Sequence, residues 1–150
     1  MLLLAVGLTV GCSGIRPYPN TLDKNVQVRT ETRSASIFSS TRASMAIYRV
    51  DPQCRVEYEG TMDLDHPLVQ VGLPTDRVSY LVFGFYSSSF LGNPRSSISQ
   101  ETVLRTRPGH SYDIDVSYRN SLYNVVVHER QPRTGERREL ELRRLSACRD

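Results

Sequence analysis

The chain has 150 residues, an apolar fraction of 39% and a formal net charge of +3 at pH 7. This length and composition are typical of one folded domain, and they exclude a disordered chain or a large multidomain protein. Only Lys24 among the 19 basic residues is a lysine, and the arginines are interleaved with acids, as in residues 136–144. The charge pattern therefore predicts a solvated surface and no nucleic-acid partner.

An apolar run, residues 2–10, is followed directly by Gly11 and Cys12. As a helix it spans about 15 Å, which is half of a hydrocarbon core, so it fits a cleaved signal segment and not a membrane span. A small residue and a cysteine after such a run resemble the lipobox of bacterial lipoproteins. The resemblance implies removal of residues 1–11, acylation of Cys12 and a lipid anchor in the cell envelope. Because Ser13 and not aspartate follows the cysteine, it further implies the periplasmic face of the outer membrane.

Residues 12–24 are small, polar and interrupted by Pro17 and Pro19, which predicts a flexible, extended tether. Such a segment can hold a domain about 35–40 Å from a membrane. Residues 25–150 are then expected to form the folded domain.

The three cysteines would leave one unpaired in an exported protein, and acylation of Cys12 accounts for that one. We expect Cys54 and Cys148 to form a disulfide in an oxidising periplasm. The bridge would stabilise the fold by about 4–5 kcal/mol in the chain-entropy model. The alternative is a pair of buried free thiols.

The folded domain has the pattern of short strands separated by turns. Alternation of apolar and polar residues predicts strands near residues 26–31, 43–50, 55–64, 68–73, 78–86, 98–106, 112–118, 123–127 and 136–145. The last of these also fits a short helix, and we assign it as a strand. Gly60 predicts a bulge or a close backbone approach, and residues 107–110 predict a type II turn. No segment has helical periodicity, so we expect an all-β, antiparallel sandwich of seven to nine strands.

The segment Pro-Gly-His-Ser-Tyr at residues 108–112 leads into the most regular predicted hairpin. It resembles a recurring feature of transthyretin-like and carboxypeptidase-regulatory-like sandwiches. The resemblance implies that subtype of sandwich.

The sequence contains no catalytic motif of a known class, neither a serine elbow nor a zinc helix nor a phosphate-binding loop. Asp63, Asp65 and His66 are the nearest approach to a metal site, but they offer too few ligands. We therefore predict no metal and no other cofactor. Asp113 and Asp115 share one face of a strand, and we expect them to be solvated surface acids.

Residues 87–97 predict a long, serine-rich loop with Phe90 and Leu91 at its centre. These two residues either fold back onto the sandwich or offer an apolar anchor to a partner, and we select them as candidate partner contacts. Together with the anchor, they favour a non-enzymatic envelope lipoprotein whose sandwich is an interaction or scaffold module for another envelope protein.

The alternative function is a binding module for envelope glycan or glycolipid. This function requires four tyrosines to lie exposed together, namely Tyr58, Tyr80, Tyr112 and Tyr118. The alternation along the strands instead places them in the core. An enzyme with an unrecognised site is a third reading of the sequence.

Overall fold

The computed structural model describes residues 14–32, 39–89, 96–119 and 122–146, which form nine strands in two sheets. The strands are β1 (Val26–Thr32), β2 (Ser39–Val50), β3 (Val56–Asp63), β4 (Leu68–Val71), β5 (Val78–Ser89), β6 (Ser96–Leu104), β7 (Ser111–Arg119), β8 (Leu122–Arg130) and β9 (Arg137–Leu140). One sheet has the order β4-β1-β7-β8-β9, and the other has the order β3-β2-β5-β6. The predicted all-β sandwich is confirmed.

The core is a single cluster to which both sheets contribute alternate residues. Burial of each large apolar side chain stabilises the fold by about 1.5–3 kcal/mol. Its members include Val26, Val28, Ala43, Met45, Ile47, Leu81, Phe83, Phe85, Leu104, Tyr112, Ile114, Val116, Val125 and Val127.

The pairing of β1 with β7 departs from the predicted antiparallel pattern, because these two strands run parallel from Val26↔Tyr112 to Thr32↔Tyr118. The other strand pairs are antiparallel. A parallel pair cannot be joined by a short hairpin. Here more than half of the chain, residues 33–110, lies between the two strands. The local alternation of apolar and polar residues therefore does not indicate whether β1 and β7 run parallel or antiparallel.

Strand β5 extends through Ser89 and β6 begins at Ser96, so much of the predicted loop at residues 87–97 is strand. The serines at this end are paired in the strand register, Ser89 with Ser39 and Ser87 with Ser96. The two candidate partner contacts, Phe90 and Leu91, lie outside the described residues.

The predicted type II turn is confirmed by a positive φ of 78° at Gly109 and by a hydrogen bond of 3.2 Å from the amide of His110 to the carbonyl of Arg107. The last predicted element is a strand, as expected, over Arg137–Leu140. Beyond it the chain reaches the other sheet, where the amide of Val103 donates to the carbonyl of Arg143 at 2.8 Å.

Candidate functional site

The segment predicted as a tether is bound to the edge of β3 from Arg16 onward. The amide of Thr61 donates to the carbonyl of Arg16 at 2.9 Å, and the amide of Tyr18 donates to the carbonyl of Thr61 at 3.0 Å. The close approach occurs at Gly60, where a Cβ atom would lie 2.5 Å from the Cα of Tyr18. The predicted bulge at Gly60 is confirmed by a shift of the β2–β3 register at this point.

A second set of contacts fixes the segment beside β4. The buried Tyr18 donates its hydroxyl to the carbonyl of Gly72 at 2.9 Å. The side chain of Asn20 accepts from the amide of Gly72 at 2.9 Å and donates to the carbonyl of Gln70 at 3.0 Å. Residues 16–24 therefore belong to the folded domain, and only residues 12–15 of the predicted tether precede the first of these contacts. The sequence pattern did not indicate that residues 16–24 bind to the sandwich, because the groups that they contact there are backbone carbonyls and amides.

Three tyrosines from neighbouring strands form a row on the outer face of the four-stranded sheet. Tyr48 on β2 is paired with Tyr58 on β3 and with Tyr80 on β5. The ring centroids are 5.3 Å apart for Tyr48 and Tyr58 and 5.6 Å apart for Tyr48 and Tyr80, with tilted planes. Such offset aromatic contacts are favourable beyond the area they bury.

The two ends of this row are held by charged side chains. The guanidinium carbon of Arg16 lies 5.8 Å from the ring centroid of Tyr58, and its Nη2 donates to the carbonyl of Tyr58 at 2.6 Å. At the other end the hydroxyl of Tyr80 donates to the carboxylate of Glu101. Burial of the hydroxyl, followed by this hydrogen bond to an anion, raises the pKa of Tyr80 to about 12.

Next to the row, small side chains leave a groove of about 430 Å³ across β2, β5 and β6. We call it the tyrosine groove. Tyr86, which is 59% exposed, lies along it, and Ile15, which is 80% exposed, lies where the N-terminal segment enters. Its lining comprises Gly14, Ile15, Ser44, Ala46, Tyr48, Tyr58, Thr61, Val82, Gly84, Tyr86, Ser97, Ile98 and Ser99.

The prediction that all four tyrosines lie in the core is wrong for Tyr58 and Tyr80. It is right for Tyr112, which is buried, and Tyr118 packs partly buried against the core. On β3 the bulge reverses the alternation, so Tyr58 lies on the face opposite to Met62. In the sequence, only the glycine at position 60 indicated this bulge. Tyr80 belongs to a strand that is apolar on both faces, so alternation alone did not distinguish inside from outside.

A buried acid, Glu129, is the centre of a second cluster between the type II turn and β9. Its carboxylate accepts hydrogen bonds from Arg138 at 2.8 Å and from the hydroxyl of Tyr112 at 3.2 Å. The Nδ1 atom of His110 lies 3.0 Å from Oε1, and Arg107 lies 3.8 Å from the same oxygen. Burial alone would raise the pKa of Glu129, but the hydrogen bonds from Arg138 and Tyr112 and the nearby positive charges hold it below its ordinary value.

The outer face of the five-stranded sheet carries a ladder of ion pairs. Asp113 is paired with Arg130 at 2.6 Å, and Asp115 is paired with Arg137 at 2.7 Å and with Arg29 at 3.0 Å. The expectation that both acids are solvated is wrong for Asp113, which is buried beneath the arginines. Because each acid is matched by arginines from neighbouring strands, the ladder ties β1, β7, β8 and β9 together.

The other predicted site residues fall at separate places. Cys54 ends the turn after β2 as a half-buried cysteine with a positive φ of 62° and no disulfide partner among the described residues, while Cys12 and Cys148 lie outside them. The Nε2 atom of His66 lies 3.8 Å from Oδ1 of Asp65. In the described part of the chain no three His, Cys, Asp or Glu side chains are arranged to hold a metal ion.

Within the residues whose structure is described, no helix combines the length and the hydrophobicity that a membrane crossing requires. Comparisons of the chain with protein-family models, with curated proteins and with solved structures found no match.

Proposed function

We propose that the protein is a lipid-anchored, non-enzymatic envelope protein whose sandwich is an interaction or scaffold module held close to a membrane. The observation that carries this proposal is the binding of residues 16–24 to the sandwich. It leaves only residues 13–15 between Cys12, the cysteine that we expect to be acylated, and the folded domain. A short linker then joins the lipid anchor to the folded domain.

The polar clusters support a role without catalysis. Glu129 is surrounded by groups that hold it ionised, and Tyr112, which donates to it, also accepts the amide of Arg107 at 3.0 Å. Asp113 and Asp115 are likewise occupied by arginines. Groups that are already paired within the fold stabilise it and orient its strands, and this accounts for their positions without a substrate.

The surface that we assign to a partner protein is the ion-pair ladder on the outer face of the five-stranded sheet. It lies on the opposite side of the sandwich from the tyrosine groove. The side chain of Arg29 is 60% exposed and that of Arg130 is 49% exposed, while Asp113 beneath Arg130 is buried. Exposed guanidinium groups retain donors for carboxylates of a partner, and arginine is enriched at protein interfaces.

The experiment that tests the anchor is metabolic labelling with a fatty acid in an envelope-bearing bacterial host. We expect the wild-type protein to take up the label and to sediment with membranes. Cys12→Ser should remain an unlabelled, unprocessed precursor, and Cys54→Ser is the matched control that should be labelled like the wild type. An unlabelled wild-type protein contradicts the proposal.

A second candidate function, binding of an envelope saccharide, is favoured by the tyrosine row. Tyrosine rings stack on the C–H faces of sugars, and Ser44 and Ser99 supply hydroxyl groups nearby. This function requires the groove to be open to the periplasm. Titration with glycan fragments should change tyrosine fluorescence, and Tyr48→Ser should remove the change, whereas Val126→Ser on the opposite face should not.

A further inference from the structure

We infer that the tyrosine groove faces the bilayer, so that the outer face of the four-stranded sheet rests on lipid headgroups. The inference rests on the proposed acylation of Cys12. It adds an orientation: one named face of the sandwich contacts the lipid surface, and the opposite face is directed away from it.

The first argument is the short length of chain between the lipid and the groove. Gly14 and Ile15 line the groove, and Arg16 is fixed to β3 through its backbone and its side chain. Cys12 precedes Gly14 by two residues, so its Cα lies within about 8 Å of that of Gly14. The sulfur of an acylated cysteine is held at the headgroup level. The end of the groove must therefore lie close to the membrane surface.

The second argument is the direction in which the N-terminal segment leaves the domain. Residues 16–18 run along the edge of β3, and residues 14 and 15 then turn onto the outer face and not away from the sandwich. A lipid attached just before residue 14 therefore pulls this face toward the bilayer. An anchor that left from the edge alone would permit either face to approach.

The third argument is the chemistry of the two outer faces. The groove carries tyrosines and exposed apolar groups, among them Ile15, Tyr86 and Ile98. Tyrosine is favoured at membrane interfaces because its ring is apolar and its hydroxyl is polar. The opposite face carries the arginines and carboxylates of the ion-pair ladder, which favour water. The contrast selects the groove as the face that contacts lipid.

The test uses the absence of tryptophan from the chain, which makes a single introduced tryptophan an unambiguous reporter. Tyr86→Trp places it on the groove, Val126→Trp places it on the opposite face, and Ile15→Trp is a positive control beside the anchor. Each lipidated variant is reconstituted into phosphatidylethanolamine and phosphatidylglycerol vesicles with brominated acyl chains. Circular dichroism checks that each variant keeps the wild-type fold.

We expect quenching of Tyr86→Trp to be at least twofold stronger than that of Val126→Trp, with a blue shift only for the first. Equal quenching of the two, in protein that floats with the vesicles, overturns the orientation and leaves the anchor intact. Protein that neither carries a fatty acid nor floats overturns the proposed function and this inference with it. If glycan fragments, and not vesicles, shift the emission of Tyr86→Trp, the groove is a saccharide site and the inference is wrong.

Discussion

Gly60 and Tyr18 approach so closely that no other residue fits at position 60, because a Cβ atom there would lie 2.5 Å from the Cα of Tyr18. The φ of Gly60 is 148°, which is also unfavourable for residues with a side chain. This contact joins the N-terminal segment to the sandwich.

Gly60→Ala is expected to release the N-terminal segment from β3 and to lower the free energy of unfolding by about 3 kcal/mol, since it adds a steric overlap to an unfavourable φ. Gly135→Ala is the matched control, because Gly135 also has a positive φ, 67°, but has open space around it. It should cost about 1 kcal/mol. Urea unfolding of the two variants measures the difference, and equal losses would contradict the steric argument.

Glu129→Gln is expected to destabilise the fold by about 3 kcal/mol at neutral pH, because Arg138 and Arg107 lose a buried carboxylate partner. The folded pKa of Glu129 is depressed, so its contribution is present above the unfolded value of 4.5 and is lost as the pH falls through the folded value. The wild-type protein should therefore lose stability below about pH 4.5, and Glu129→Gln should lose less. Glu139→Gln, at an exposed position on β9, should behave like the wild type in urea unfolding at each pH.

The raised pKa of Tyr80 predicts alkaline destabilisation. In the unfolded chain this hydroxyl ionises near pH 10, whereas in the folded protein it ionises near pH 12. Between these values the folded state binds more protons, so the free energy of unfolding should fall as the pH rises. Tyr80→Phe should reduce that slope, while the exposed Tyr86→Phe should leave it unchanged. A slope that is the same in all three proteins would contradict the assignment.

The bridge between Cys54 and Cys148 remains a prediction, and the fold sets a condition on it. The backbone of Arg143 lies beside Val103, at the end of the sheet where the turn after β2 carries Cys54. Three to four strand spacings, about 14–19 Å, separate Arg143 from Cys54, and five residues span about 17 Å when fully extended. Residues 145 and 146 form a 3₁₀ turn, so the bridge requires this turn to open.

Thiol titration of the unfolded, unreduced and lipidated protein should then find no free cysteine. Cys54→Ser should expose one thiol, that of Cys148. Two titratable thiols in the wild-type protein would show that Cys54 and Cys148 are free cysteines, and the predicted disulfide would be wrong.

Strand positions were largely predictable because alternation follows from which face of each strand is buried. In the strand predicted near residues 43–50, alternation places Ala43, Met45 and Ile47 on one face, and all three are buried. The site was less predictable, because it depends on departures from that rule. The bulge at Gly60 places Tyr58 on the outer face, and the N-terminal segment binds to backbone carbonyl and amide groups of the sandwich, which any sequence possesses.

The parallel pairing of β1 with β7 has a consequence for biogenesis. Residue pairs such as Val28↔Ile114 are distant along the chain, so this part of the five-stranded sheet closes only after most of the polypeptide is available. In the export that we propose, the chain would emerge from its N-terminus, and β1 would wait, with one edge unpaired, until β7 had crossed the membrane. During that interval the backbone of β1 would be open to proteases and to strand addition by other chains, so chaperones acting at that stage of the proposed export would have the greatest effect on yield.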